Sequence, residues 1–359
     1  MVSGPDGLRS DPVDGRPAVA GGRAPVPRAG PGGAAGPAVD APRERVLALQ
    51  VLRGLAASGV IVLHATQVGL GQHQVGLVGT FGAFGVDLFF VLSGAIIARI
   101  AHGAAPVPFL VKRLTRIFPM YWIITASWMA LIAFSGTLSL KPLLTSLFLL
   151  PTDIDCYLPI AWTLRFEVLF YLAATVALMA GRLGVIGLAL AYAAAFLGRL
   201  SIPHNPVLDL AGSPLVLEFL AGVLVARLGA TPWSIAIAGC TGLACLAAIG
   251  VSGYSGETDA RAFIYGPPAA MIVYAARHLV LKGSPVRRLA YLGDASYCAY
   301  LVHLMPIFLV APLMRSAPPA LAIPGMMVGC WMLAVLAHEA AEKPALRLCR
   351  RLLSPLLGR

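Results

Sequence analysis

Apolar stretches of bilayer-crossing length follow one another almost without pause, and this limits the fold more than any other feature of the chain. About 20 apolar residues in a helix cross the ~30 Å of hydrocarbon in a bilayer. Such stretches lie near 47–67, 80–100, 118–135, 161–181, 184–199, 212–228, 233–252, 262–281, 292–314 and 320–341. The expected fold is therefore all-α: a polytopic membrane protein with a bundle of about ten transmembrane helices. Residues 141–150 are too few to cross and open on Lys141-Pro142, which assigns them to an outer loop or re-entrant segment. Composition points the same way. The chain is 58% hydrophobic and 12% charged, where soluble domains run near ~45–50% and ~25%.

Loop charges test the count. With an inside N-terminus, the inner side receives Arg43, Arg45, Arg99, Lys112, Arg113, Arg116, Arg182, Arg227, Arg277, Lys282, Arg287, Arg288, Lys343, Arg347, Arg350 and Arg351. The outer side receives Lys141, Arg199, Arg261 and Arg315, with the acids Asp153, Asp155, Glu257 and Asp259. Cytoplasmic loops carry the excess of Lys and Arg, so both termini are expected in the cytoplasm. Reading 141–150 as an eleventh span would turn the later basic clusters outward. The same bias accounts for the net charge of +11 without a nucleic-acid partner. Among six cysteines there is no CxxC, and Cys240, Cys245, Cys298 and Cys330 lie in apolar runs. They read as small packing residues, with neither a disulfide framework nor a metal site expected.

Three regions follow. Residues 1–42, rich in Pro, Gly and Ala, read as a disordered cytoplasmic tail without the apolar core of a signal peptide. Residues 43–348 form the membrane domain, and 349–359 a short basic tail.

Ionisable residues inside the spans are costly and tend to face a bundle interior, cavity or pathway. Arg53 and His64 both lie in the first span. Eleven residues at about 100° each return to within roughly 20° of the same face, about 16 Å along the axis. The spacing alone fits equally an Arg that snorkels to near headgroups and an unrelated His at the far interface. Lys112-Arg113-Leu114-Thr115-Arg116 closes the first inner loop. Two guanidiniums three residues apart suit phosphate groups, although most such clusters only anchor a chain to anionic lipid. Asp87 sits within GVDLFFVLSG, where Ser93 reads as packing rather than as a nucleophile. Glu167, in WTLRFEVLFY, lies about a turn inside its span. Arg165, two residues away, is on another face, so Glu167 needs a partner from elsewhere. His303 falls mid-span in LGDASYCAYLVH, where a lone His is commonly a helix-to-helix hydrogen-bond donor. Glu342-Lys343-Pro344 closes the last span, with Pro stopping the helix and Lys343 anchoring it.

In this order, Arg53 and His64, GVDLFFVLSG, KRLTRIFP, WTLRFEVLFY, LGDASYCAYLVH and the terminal EKP resemble the membrane-bound acyltransferase-3 family over about residues 47–345. Gln50 ahead of Leu-Arg-Gly-Leu-Ala-Ala is most similar to the branch that acetylates exopolysaccharides. The resemblance implies an O-acyltransferase of the inner membrane. Such an enzyme moves acetyl, or another short acyl group, from cytosolic coenzyme A to a hydroxyl of a carbohydrate acceptor. Exopolysaccharide, lipopolysaccharide, lipid-linked glycan and macrolide are the acceptor classes it implies. It also implies catalytic or essential roles for Arg53, His64, Arg113, Arg116 and Glu167. The chain departs from the family pattern at Arg165, where a small polar residue is more usual, and no soluble domain is expected after Arg359.

The residues support that division of labour. Coenzyme A carries phosphates, which Lys112, Arg113 and Arg116, with Arg53, are suited to hold. The acceptor hydroxyl must lose a proton as it attacks the thioester, and a neutral imidazole is matched to that task near pH 7. His64 is the candidate base, and an acyl-histidine is an open alternative. A transporter or flippase for a glycan would use the same charges as a path, yet no internal inverted repeat is found. A membrane scaffold without chemistry leaves the Arg53–His64 pair unexplained.

Overall fold

The computed structural model describes residues 41–70, 76–133, 139–254, 256 and 259–356. The tail expected over 1–42 lies outside the described residues up to residue 40, as do Glu257 and residues 357–359. Among the described residues every regular element is a helix. Eight helices are long and apolar enough to cross a membrane: Leu47–Gly69, Leu77–Ala101, Pro106–Ala133, Pro159–Ala180, Gly184–Ser201, Pro206–Val225, Pro232–Ser252 and Pro319–Leu352. The chain is thus an all-α, multi-pass membrane protein.

Helices α1 (Ala41–Leu70), α2 (Gly76–Ala101) and α3 (Pro106–Ala133) open the fold. α4 (Leu140–Phe148) is a single short helix, as the length of that stretch required. It is followed by α5 (Trp162–Ala180), α6 (Gly184–Ser201), α7 (Pro206–Ala211) and α8 (Val216–Val225). The chain continues through α9 (Pro232–Ser252), α10 (Arg261–His278), α11 (Ser284–Val302), α12 (Leu304–Leu309), α13 (Ala311–Ser316), α14 (Pro319–Ala337) and α15 (Lys343–Leu352).

Several sequence expectations are corrected here. Lys112 to Arg116 are not in a loop: α3 begins at Pro106, carries the basic residues in its early turns and runs on through Pro119. The stretch expected at 212–228 holds only the short α8, and the candidate span runs Pro206–Val225, with α7 ahead of the expected start. The expected span 292–314 starts at Ser284 and breaks at His303 into α12 and α13. Pro306 and Pro312 lie just beyond the break, where their missing N–H groups and ring bulk prevent a continuous helix. Pro344 does not end the last helix. A π turn over His338–Glu342 leads directly into α15, where Pro344 takes a first-turn position that needs no N–H. The expected basic tail therefore begins inside a helix.

α1 runs through the middle of the bundle, packed on α2, α10, α11, α13 and α14. Ala57, Ile61 and Ala65, four residues apart, make a fully buried stripe along it. Without a hydrophobic drive between helices in lipid, small residues that permit close approach select the crossings. Gly94 of α2 and Gly222 of α8 do this. A Cβ on Gly94 would overlap Phe219 O, and one on Gly222 would overlap Val91 O. Gly293 of α11 rests on Gln50 O of α1 in the same way. Further along, His303 meets His64, so α1 and α11 lie parallel.

Asp87, fully buried on α2, is paired with Arg261 at the start of α10. The guanidinium donates from Nε to Oδ1 and from Nη2 to Oδ2, both at 2.8 Å, and Nη2 also donates to Ala83 O at 2.7 Å. Removing one partner from a buried pair leaves an uncompensated charge, typically costing about 3–5 kcal/mol. Asp87→Leu is expected to lower the thermal midpoint of detergent-purified protein markedly, and Asp87→Leu with Arg261→Leu to recover most of the loss. Equal stability of wild type and the single variant would show that the pair does not hold α2 to α10.

Candidate active site

A cavity of about 140 Å³ opens among α1, α2, α3, α5 and α11. Arg53, Arg113, Arg116 and Glu167 line it together with Tyr171 and Tyr297, while Phe89, Thr163 and Tyr300 line its other part. Three guanidiniums and one carboxylate face the cavity itself, which gives an entering anion several charged donors.

Each cation is held differently. Arg53 donates from Nη1 to Gln50 Oε1 at 3.1 Å, and Gln50 Nε2 donates to Asp294 Oδ1 at 2.7 Å. Gln50 thereby ties the first-span arginine to the LGDASY motif of α11. Arg116 is ion-paired with Glu342 and stacks over Tyr297, 5.4 Å from the ring centroid. Tyr297 is fixed in turn by donating to Ile117 O at 2.8 Å. The Nε of Arg113 is buried and has no hydrogen-bond partner among the described residues. A buried, unsatisfied guanidinium donor costs free energy until an acceptor arrives, and this one belongs to a cavity-lining residue.

Glu167 receives a hydrogen bond from Tyr171 on its own helix, one turn on. Its neighbour Arg165 is turned away, donating to Thr152 O at 3.2 Å and to Ile154 O at 2.7 Å. The unusual arginine therefore braces the α4–α5 connection and does not neutralise Glu167. Lys112, named with the cluster in the sequence, is exposed and does not line the cavity.

His64 is not among the cavity-lining residues. It lies beyond the Tyr300 end. Tyr300 and Thr163 hydroxyls are 2.8 Å apart, and Tyr300 also donates to Ile160 O at 3.0 Å. The Tyr300 ring is 5.9 Å from that of His303, centroid to centroid, and His303 lies 4.9 Å from His64. The structure brings together Arg53, Arg113, Arg116 and Glu167, and leaves His64, about three turns on from Arg53 along α1, outside that lining.

Two groups assigned only structural roles from the sequence complete this region. The first is His303, expected to hydrogen-bond between helices and found fully buried at the break between α11 and α12. The second is Glu342, 1% exposed, whose carboxylate accepts from Arg116, from Cys298 Sγ at 2.9 Å and from His338 Nδ1 at 2.6 Å. Cys298 is thus a donor to a carboxylate, not merely an apolar packing residue. The signal for Glu342 lies in the EKP motif, an acid at the end of an apolar run. Cys298, His338 and Glu342 place one metal-ligating atom each within 4.8 Å of one another. Their carboxylate is already committed to the Arg116 guanidinium, a cation that a metal ion would have to displace.

A family signature described as an acyltransferase domain matches residues 46–338. The chain belongs to the acyltransferase-3 family and is a membrane acyltransferase. It is similar to the "Exopolysaccharide production protein ExoZ" of Rhizobium meliloti (strain 1021), with 34% identity over 316 residues, 78% of this chain and 95% of that protein. No solved structure matches it.

Among the described residues Glu342 is the carboxylate paired with Arg116. Glu342→Gln is expected to leave the guanidinium without its counter-charge and to lower the thermal midpoint of detergent-purified protein, from the loss of about 1.5–3 kcal/mol in a charge-assisted contact. An unchanged midpoint would show that the pair does not hold α3 to the last helix.

Proposed function

We propose that the protein transfers an acetyl or other short acyl group from cytosolic acyl-coenzyme A to a hydroxyl of a carbohydrate, with His64 as general base. The observation that carries this reading is the cavity, in which the unsatisfied Arg113 Nε stands with Arg53 and Arg116. Guanidinium forks match phosphate oxygens two at a time, and the donor carries a diphosphate and a further phosphate. Similarity to a protein of exopolysaccharide production favours a polysaccharide or its lipid-linked precursor over a macrolide.

The reaction is read as follows. The phosphates rest against Arg53, Arg113 and Arg116, and the long pantetheine arm carries the thioester towards the Tyr300 end. To meet His64 the thioester must pass the Tyr300–Thr163 contact. The acceptor hydroxyl gives its proton to His64 Nε2 as its oxygen attacks the thioester carbonyl. The tetrahedral intermediate collapses, the C–S bond breaks, and the departing sulfur takes that proton. Ester and coenzyme A thiol leave, and His64 returns to its neutral form.

His64 is set for this task. Its Nδ1 lies 2.9 Å from Val60 O, and a carbonyl can only accept, so the proton sits on Nδ1. The Nε2 lone pair is then the basic position. The ten-span count, with α10 and the broken α11–α13 unit as the two further crossings, belongs to this reading. The loop charges support cytoplasmic termini, and the family resemblance supports a place in the inner membrane.

Four outcomes test the proposal. His64→Gln keeps hydrogen-bonding capacity but cannot take up the proton, and is expected to lower kcat about 10²–10⁴-fold with protein level unchanged. In wild type, turnover is expected to fall as pH drops through the imidazole range, because only neutral His64 accepts a proton. Near-native turnover of His64→Gln would remove the general base. Arg113→Ala is expected to raise KM for acetyl-coenzyme A roughly ten- to a hundredfold, while KM for the acceptor stays put; an equal rise in both would mean general damage. A reporter after Arg359 is expected in the cytoplasm and one at Glu257 outside, and finding both on one side would contradict ten spans.

A further inference from the structure

We infer that His303 is a positioning residue that holds His64 in the tautomer required of a base. The inference rests on the reading of His64 as that base, and concerns a residue to which neither the family resemblance nor the cavity assigns a role.

The geometry is a chain of hydrogen bonds whose ends are fixed. His303 Nδ1 lies 2.7 Å from Tyr300 O, and the carbonyl can only accept. The proton of a neutral His303 is therefore on Nδ1, and its Nε2 carries a lone pair. That Nε2 faces His64 Nδ1 at 3.3 Å. Two bare nitrogens at this distance would repel, so His64 must carry its proton on Nδ1, shared between Val60 O and His303 Nε2. The remaining position, His64 Nε2, is left bare.

His303 itself is locked. It is fully buried, its carbonyl lies 3.7 Å from Cys330 Sγ on α14, and it occupies the α11–α12 break. Tyr300 O, three residues before it on α11, accepts the imidazole N–H and fixes the ring's orientation. Lone imidazoles in water favour the proton on Nε2, so a base acting through Nε2 needs an outside preference for Nδ1–H. Val60 O supplies part of it, and His303 adds an acceptor from a second helix that excludes the wrong tautomer. It would also accept from the imidazolium formed when Nε2 takes up the acceptor's proton.

The test is ¹⁵N NMR of imidazole nitrogens in the full chain, histidine-labelled and held in lipid nanodiscs at a pH where His64 is neutral. The chain has seven histidines, and loss of one signal set in His64→Gln assigns residue 64. In wild type His64 is expected to show a protonated Nδ1 and a bare Nε2. In His303→Phe, which keeps a ring but has no acceptor, a substantial share of His64 is expected to move its proton to Nε2. In His303→Gln, whose side-chain oxygen can stand where Nε2 stood, the wild-type tautomer is expected to return. An unchanged His64 tautomer in His303→Phe would overturn the inference and leave Val60 O as the sole director. If His303→Phe does not fold, a His303→Gln spectrum matching wild type supports the inference, and one with His64 protonated on Nε2 overturns it. The outcome is separable from the base assignment. Persistent turnover in His64→Gln would remove the base without changing these spectra.

Discussion

A charge in hydrocarbon cannot be left without a partner, and the contact between α1 and α11 is where this constraint organises the protein. Gly293 lets the two helices touch at Gln50 O. That closeness allows Gln50 to join Arg53 to Asp294, and ten residues on it brings His303 against His64. Because the helices are parallel, one contact line supplies both the cationic end of the cavity and the imidazole pair. A shift of either helix would uncouple the two.

The remaining ionic contacts serve the same line from outside. Arg116 on α3 reaches Glu342 at the far end of the chain, and Glu342 is reached because the helix does not stop at Pro344. The π turn at His338–Glu342 is where one extra residue re-aims a side chain, a common feature of functional sites. Asp87 and Arg261 form a second centre, between α2 and α10, that does not line the cavity. It keeps α2 in place, and α2 carries Phe89 and Phe90 into the cavity wall.

Much of this was legible in the sequence because membrane helices declare themselves by apolar length. The helical class, the shortness of 141–150 and the shared face of Arg113 and Arg116 come from local pattern, whereas the lining of one cavity by Arg53, Arg113, Arg116 and Glu167 comes from the fold. What was illegible depends on places where a helix bends or continues against local signals. The break at His303 was hidden because the apolar run continues through it. The π turn and α15 were hidden because Glu-Lys-Pro reads as a terminator. The separation of His64 from the cavity was hidden because helical periodicity reports a shared face, not what packs between two residues on it. Tyr300 and Thr163 come from α11 and α5, and only the fold sets their hydroxyls 2.8 Å apart. Lys112 was grouped with its neighbours by sequence alone, while the helix turns it outward.

The central claim is that the guanidinium-lined cavity is the seat of acyl-coenzyme A. A structure of the full chain in lipid nanodiscs, determined with saturating acetyl-coenzyme A, tests it most directly. Phosphate density is expected within hydrogen-bond reach of Arg113 Nε, with Arg53 and Arg116 beside it and the arm extending towards Tyr300. A cavity empty or filled by lipid, with the nucleotide bound at another surface, would contradict it.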